Sequence, residues 1–152
     1  MKKNMLLLIA VLLFLGTLPV HGTFAETKVS FVIDEKPFQA PAGEPEPYIN
    51  KDNRTMVPVR FVSHALGVPD ENIKWNEAAR TATIKKGEYT VQITVGQPQV
   101  IVNGKAVKMD TKAEIKGDRL FIPIRYIAEG LGASLVWHAP TNTVYVYSPN
   151  GD

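Results

Sequence analysis

One pattern of fourteen residues occurs twice in this chain. Residues 54–67 read RTMVPVRFVSHALG and residues 119–132 read RLFIPIRYIAEGLG, and at a constant offset of 65 they match Arg54 with Arg119, Pro58 with Pro123, Arg60 with Arg125, Leu66 with Leu131 and Gly67 with Gly132. Each copy runs on into a tryptophan-bearing stretch, IKWNEAARTATI at 73–84 and LVWHAPTNTVYV at 135–146, which align at an offset of 62 and match Trp75 with Trp137. A chain that repeats its element pattern is constrained to like units before any single residue is weighed.

Within each copy the pattern predicts a short apolar strand (55–58, 120–123) that ends at a proline, where a missing N–H matters least. A helix over 59–66, and over 124–131 in the second copy, follows from the i, i+3, i+7 stripes Val59, Val62, Leu66 and Ile124, Ile127, Leu131. Gly67 and Gly132 end these helices, because glycine takes the left-handed conformation without a Cβ clash. The last strands, 81–85 and 143–147, alternate, with Ala82, Ile84, Val144 and Val146 inward and Thr83, Lys85, Tyr145 and Tyr147 outward.

Ahead of each copy lies a hairpin-like pair. In 100–107 (VIVNGKAV) the Asn103-Gly104 dipeptide favours a type I′ turn, whereas after 28–33 the turn signal Asp34-Glu35-Lys36, leading into Pro37 and Phe38, has Asp34-Glu35 in that place and is the weaker signal. Residues 39–47 (QAPAGEPEP) predict an extended surface loop, with a proline-rich recognition motif as the alternative. Residues 89–95 alternate on their own and are expected to bridge the two copies. The fold expected is α+β: two pseudo-repeated units of short, mostly antiparallel strands, each with one short helix packed on the sheet. The units divide as 26–96, with the bridging strand, and 97–152. Whether they form one core or two is left open, as is the oligomeric state.

Residues 1–25 read as a signal peptide. Lys2 and Lys3 precede an apolar run from Met5 to Leu18, then Pro19, Gly22 and a small-residue boundary at Thr23 and Ala25. The run is shorter than the roughly 20 apolar residues that span a bilayer, so cleavage after Ala25 is expected over an uncleaved anchor. With Lys2 and Lys3 gone, the 17 basic residues fall to 15 and balance the 15 acidic ones. Residues 26–96 hold 9 basic and 10 acidic side chains and residues 97–152 hold 6 and 5, so neither half has the positive field that attracts nucleic acid or an anionic membrane. The chain has no cysteine, which excludes disulfides, thiolate metal sites and a cysteine nucleophile.

The run of strand, Val-Pro-Val-Arg or Ile-Pro-Ile-Arg, an eight-residue helix ending Leu-Gly, then Trp and a Thr-x-x-Ile/Val strand resembles the copper amine oxidase N-terminal domain, also called the stalk domain. The resemblance covers nearly all of the chain after the leader. It implies a small α+β module appended to varied secreted and cell-surface proteins, common in Gram-positive bacteria, with no copper chemistry of its own: the copper site and the tyrosine-derived quinone of those oxidases lie in a different, larger domain.

The residues agree that no reaction centre is present. After the leader the only histidines are His64 and His138, too few for a copper or zinc site, so no cofactor or metal is expected. The serines at 30, 63, 134 and 148 have no neighbouring histidine pattern, and Glu44, Glu46, Asp70 and Glu71 read as loop carboxylates held out for solvation. Asn53-Arg54-Thr55 fits a glycosylation sequon, discounted in a bacterial-looking exported protein. Residues matched in both copies are more economically explained by the folded unit than by one catalytic centre. Arg54, Pro58, Arg60, Gly67, Trp75, Arg119, Pro123, Arg125, Gly132 and Trp137 are therefore read as structural. For Trp75 and Trp137 this means core anchors, with a sugar platform as the alternative. Arg60 and Arg125 sit near helix starts, where the dipole disfavours a cation, so each needs a compensating partner from the fold; an anion site is the alternative. A ligand specific to this chain is expected where the copies differ, at Tyr145 and Tyr147. The reading is a secreted or cell-wall-associated, non-enzymatic envelope binding or spacer module. Its partner would be a cell-wall polysaccharide or a cell-surface protein. An accessory or inhibitor domain acting on a partner protein, and a free-standing polysaccharide or peptidoglycan binder, are the alternatives.

Overall fold

The computed structural model describes residues 28–149, and the leader expected over 1–25 lies outside them. Among the described residues no helix is long and apolar enough to cross a membrane. The chain opens with the hairpin β1 (Ser30–Ile33) and β2 (Lys36–Phe38). Its turn residues Asp34 and Glu35 have φ of 48° and 66°, the same left-handed pair as Asn103 (48°) and Gly104 (79°) between β8 (Gln99–Val102) and β9 (Lys105–Lys108). Both turns are therefore type I′, whose twist matches that of the strands they join.

After β3 (Tyr48–Ile49), β4 (Thr55–Pro58) runs straight into α1 (Val59–Ala65), and β11 (Arg119–Pro123) into α2 (Ile124–Gly130). Pro58 and Pro123 hold the two junctions with extended backbone, φ −62° and −59°. Both apolar stripes are buried. The helices end alike: Val68 N–H donates to the Ser63 carbonyl and Gly67 N–H to that of His64, while Ala133 and Gly132 N–H donate to those of Ala128 and Glu129. With φ of +78° at Gly67 and +82° at Gly132, these are Schellman motifs, which satisfy carbonyls the last helical turn leaves orphaned.

A four-stranded central sheet runs β10 (Glu114–Lys116), β11, β4, β3, all antiparallel. In its middle Val57 faces Ile122, Met56 faces Pro123 and Pro58 faces Phe121. Residues related by the 65-residue offset thus face each other or exchange places about the Val57–Ile122 pair. The five-stranded flanking sheet runs β5 (Ile73–Asn76), β6 (Thr81–Lys86), β7 (Tyr89–Thr94), β8, β9. The four-stranded one runs β12 (Ser134–His138), β13 (Thr143–Tyr147), β1, β2, with β1 parallel to β13 and the rest antiparallel.

The architecture is α+β, two short helices among mostly antiparallel strands. One cluster of buried side chains joins all three sheets and both helices. Phe31 and Phe38 close on Phe61 of α1, with ring centroids 6.0 and 4.8 Å away, so the first hairpin covers the first helix. Across the core, Val91 and Val102 lie against Gly130 of α2. The pairs β1–β13, β4–β11 and β7–β8 all cross the expected boundary at residue 96.

Candidate functional site

Trp75 and Trp137 do not anchor the core: they are 43% and 41% exposed, which corrects the expectation drawn from their alternation. They do point to the inner side of their sheets, opposite the buried Ala82 and Val144. The reason for their exposure is that β5 and β12 are edge strands, and the inner face there overhangs the strand-to-helix junctions instead of another layer. Burial at an edge depends on what lies across from it, which alternation does not report.

Each tryptophan walls an open groove. The first, about 430 Å³, is lined by Trp75, Ile73 and Ala82 from the five-stranded sheet, Pro58, Val59 and Arg60 from the β4–α1 junction, and Arg119 and Leu120 from β11, with Glu44 at its rim. The second, about 400 Å³, is lined by Trp137, Leu135 and Val144, by Pro123, Ile124 and Arg125 from the β11–α2 junction, and by Arg54 and Thr55, with Asp110 at its rim. Both fall within the usual range of small-ligand sites. The residues matched in both copies therefore meet crosswise: Pro58, Arg60 and Trp75 with Arg119, and Pro123, Arg125 and Trp137 with Arg54.

The groove arginines are held by carboxylates from the connecting segments. Arg119 Nε and Nη2 donate to Glu44 Oε2 and Oε1 at 2.9 and 3.0 Å, a bidentate pair, and Arg54 Nε donates to Asp110 Oδ2 at 2.6 Å. The Arg119 hydrogen bonds hold the Glu44 carboxyl below the usual carboxylate range, and those from Arg54 do the same for Asp110. Glu44 is thus half-buried and engaged, not the loop carboxylate held out for solvation that its setting suggested. The partnership fastens each connecting segment to a distant turn, helped at residue 111 by Asn50 Nδ2 donating to Thr111 Oγ1 (3.1 Å) and Thr111 Oγ1 donating to Asp52 Oδ2 (2.9 Å). Sequence reasoning missed the pairing of Glu44 and Asp110 because they lie outside the matched stretch; the repeated Arg54 and Arg119 were the one signal of it.

Arg60 has the compensating partner expected of it, with Nη1 2.9 Å from Asp70 Oδ1. Arg125 has a looser one, Glu129 at 3.9 Å one helical turn away. The tryptophans differ in the same sense. Trp75 Nε1 donates to the Glu77 carboxylate, whereas among the described residues Trp137 Nε1 has no partner.

Tyr145 and Tyr147 lie on the outer face of the four-stranded sheet, Tyr147 exposed at 42% and Tyr145 half-buried, with the His138 ring edge-on to Tyr145 at 6.4 Å. The row across that face is Val136, Tyr145, Val32, Pro37, and Val136 is 56% exposed. His64 is occupied elsewhere, its Nδ1 3.0 Å from the Val68 carbonyl and its Nε2 3.2 Å from Asp70. Ser63 donates to the Val59 carbonyl and Ser148 to Asp34. Among the described residues no three His, Cys, Asp or Glu side chains gather as a metal site would require.

Compared with known proteins, the chain matches the family model described as copper amine oxidase N-terminal domain over residues 32–146. No curated protein matches it.

Proposed function

The chain belongs to the copper amine oxidase N-terminal domain family, and from that premise we propose that it is a secreted, non-catalytic module of two duplicated units that binds a cell-envelope polymer. The N-terminal domain of copper amine oxidases is non-catalytic, and the rim carboxylates Glu44 and Asp110 of the two grooves are each bound by an arginine. One observation carries the reading: the side chains repeated in both copies line two solvent-open grooves, each with a half-exposed indole beside two guanidinium groups. The duplication is supported by the pairing of Val57 with Ile122 at the middle of the central sheet.

Retention on purified Gram-positive cell wall tests this. A module without net charge beyond its leader should be retained through contacts that persist at high salt, since screening removes only exposed ionic attraction. Retention that disappears with salt, or never occurs, sinks the reading. The second reading, an accessory or inhibitor domain acting on a partner protein, is favoured by the apolar row Val136, Tyr145, Val32, Pro37, since such faces on sheets commonly receive a partner. Retention on walls that is untouched by changes in the grooves but lost with this row would turn the choice toward it.

A further inference from the structure

We infer that the groove walled by Trp137 is a subsite for a carboxylated sugar residue, a hexuronate or a sugar acid of like charge, and that the groove walled by Trp75 is not an equivalent one. This rests on the envelope-binding reading and names the chemistry of its ligand. The shape comes first. Pro123, Ile124 and Val144 form a buried apolar floor, and the indole of Trp137, 41% exposed, stands beside it. An aromatic face of negative quadrupole attracts the polarised C–H groups of a pyranose, so the ring stacks while its hydroxyls point outward.

The charge narrows the class. The charged lining of this groove is Arg54, Arg125 and Asp110, one cation more than anions, and Asp110 already neutralises Arg54. What remains is the Arg125 guanidinium, largely exposed and only loosely paired at 3.9 Å to Glu129. One guanidinium matches one carboxylate in bidentate geometry. A phosphate dianion would meet the Asp110 carboxylate with no second free cation to offset it. The Trp137 Nε1–H, without a partner among the described residues, together with the Asp110 carboxylate and the Tyr126 hydroxyl that contacts it at 3.4 Å, supplies the mixed donors and acceptors that sugar hydroxyls need. The other groove, lined by Arg60, Lys74 and Arg119 against Glu44 and Asp118, has the same excess of one cation, and what separates it is that the same two positions are satisfied internally: Arg60 by Asp70 at 2.9 Å and Trp75 Nε1 by Glu77. A ligand there would have to displace two existing partners, and its affinity is lower by that cost.

Titration of the protein with tetragalacturonate, followed by the indole N–H resonances of Trp75 and Trp137 and by calorimetry, tests the assignment. Saturable binding should move the Trp137 resonance and leave that of Trp75 in place. The neutral methyl ester of the same tetramer should bind ~10-fold more weakly or worse, as loss of a charge-assisted bidentate contact implies. Arg125→Gln should reproduce that loss with the acid and have no further effect with the ester, while Arg60→Gln changes neither. Equal binding of acid and ester, movement of the Trp75 resonance instead, or no binding of the acid overturns the inference. So does an N-acetylated tripeptide with a free carboxyl terminus that binds through Arg125 and Trp137 as tightly as the sugar, which makes the site a peptide site. Cell-wall retention is scored separately: retention with no response to tetragalacturonate removes this inference and leaves envelope binding standing.

Discussion

In the four-stranded flanking sheet β1 lies directly against β13 and parallel to it, whereas in the five-stranded sheet β7 is inserted between β6 and β8 and every pairing is antiparallel. The two sheets otherwise use like parts, a tryptophan edge strand, an alternating strand and a type I′ hairpin. Insertion of β7 changes what the helices meet. At Gly132 an added Cβ would lie 2.5 Å from the Tyr89 ring at the start of β7, while at Gly67, the matching helix end, it would meet open space. The outer faces differ as well. The row Lys74, Thr83, Gln92, Ile101, Ala106 across the five-stranded sheet is polar at its first three positions, while Val136, Tyr145, Val32, Pro37 across the other is apolar throughout except for the tyrosine hydroxyl. Two stretches of similar sequence thus become energetically unequal through their neighbours.

The most severe way to break this comparison is to cut the chain after Gly96. The cut removes β13 from β1, β8 from β7 and β11 from β4, so residues 26–96 alone should lack dispersed amide resonances and a cooperative melt. A well-dispersed spectrum from that fragment would show that the first copy is autonomous.

Next in size is the glycine pair. Gly67→Ala forces a left-handed alanine and should cost about 1–2 kcal/mol. Gly132→Ala adds overpacking against Tyr89 on top of that strain and should cost about 2–5 kcal/mol. In urea melts the gap between the two should shrink when Tyr89→Ala is combined with Gly132→Ala, since the two sites are in contact. Equal costs without that rescue would mean that Tyr89 moves aside freely.

A smaller effect separates the hairpin latches. Asp34 Oδ1 accepts from the Ser148 N–H at 2.7 Å, and Asn103 Oδ1 accepts from the Thr90 N–H at 2.8 Å, so equivalent turns are tied to their sheets by an ionisable and a neutral group. The backbone hydrogen bond from Ser148, then that from its hydroxyl, holds the Asp34 carboxyl below its ordinary value. A carboxyl whose folded pKa is lowered contributes stability that is present above the unfolded value, about 3.9, and that is lost as pH falls through the folded one. The Ser148 amide shift should therefore titrate below about pH 4 while that of Thr90 does not, and Asp34→Asn should abolish the titration. A Ser148 shift that is flat down to the acid transition would remove the latch.

The smallest effect on stability belongs to the outer faces. Tyr145→Ala with Tyr147→Ala should cost no more than about 1–2 kcal/mol, the scale of exposed cross-strand pairs, and Thr83→Ala with Lys85→Ala still less. If the apolar row is a docking face, the tyrosine variant loses cell-wall retention with its melting midpoint nearly unchanged and the Thr83, Lys85 variant does not. Unchanged retention in the tyrosine variant confines binding to the grooves.

Much of the backbone was settled by sequence alone, because the decisive physics is local. The stripes Val59, Val62, Leu66 and Ile124, Ile127, Leu131 fix a helical face through a period of 3.6 residues, Gly67 and Gly132 end the helices through their own φ, and Asn103-Gly104 specifies its turn through two positive φ values. The inward placement of Ala82, Ile84, Val144 and Val146 likewise follows from the period of two along a strand. Tertiary structure decided the rest. Whether Trp75 and Trp137 are buried depends on their strands' being at the sheet edges, which acids reach Arg54 and Arg119 depends on where segments 56 and 75 residues away are laid down, and the parallel β1–β13 pair joins strands more than a hundred residues apart. No local preference encodes those contacts. They arise when strands with complementary apolar faces find one shared core, and the grooves are the space that this assembly leaves at its edges.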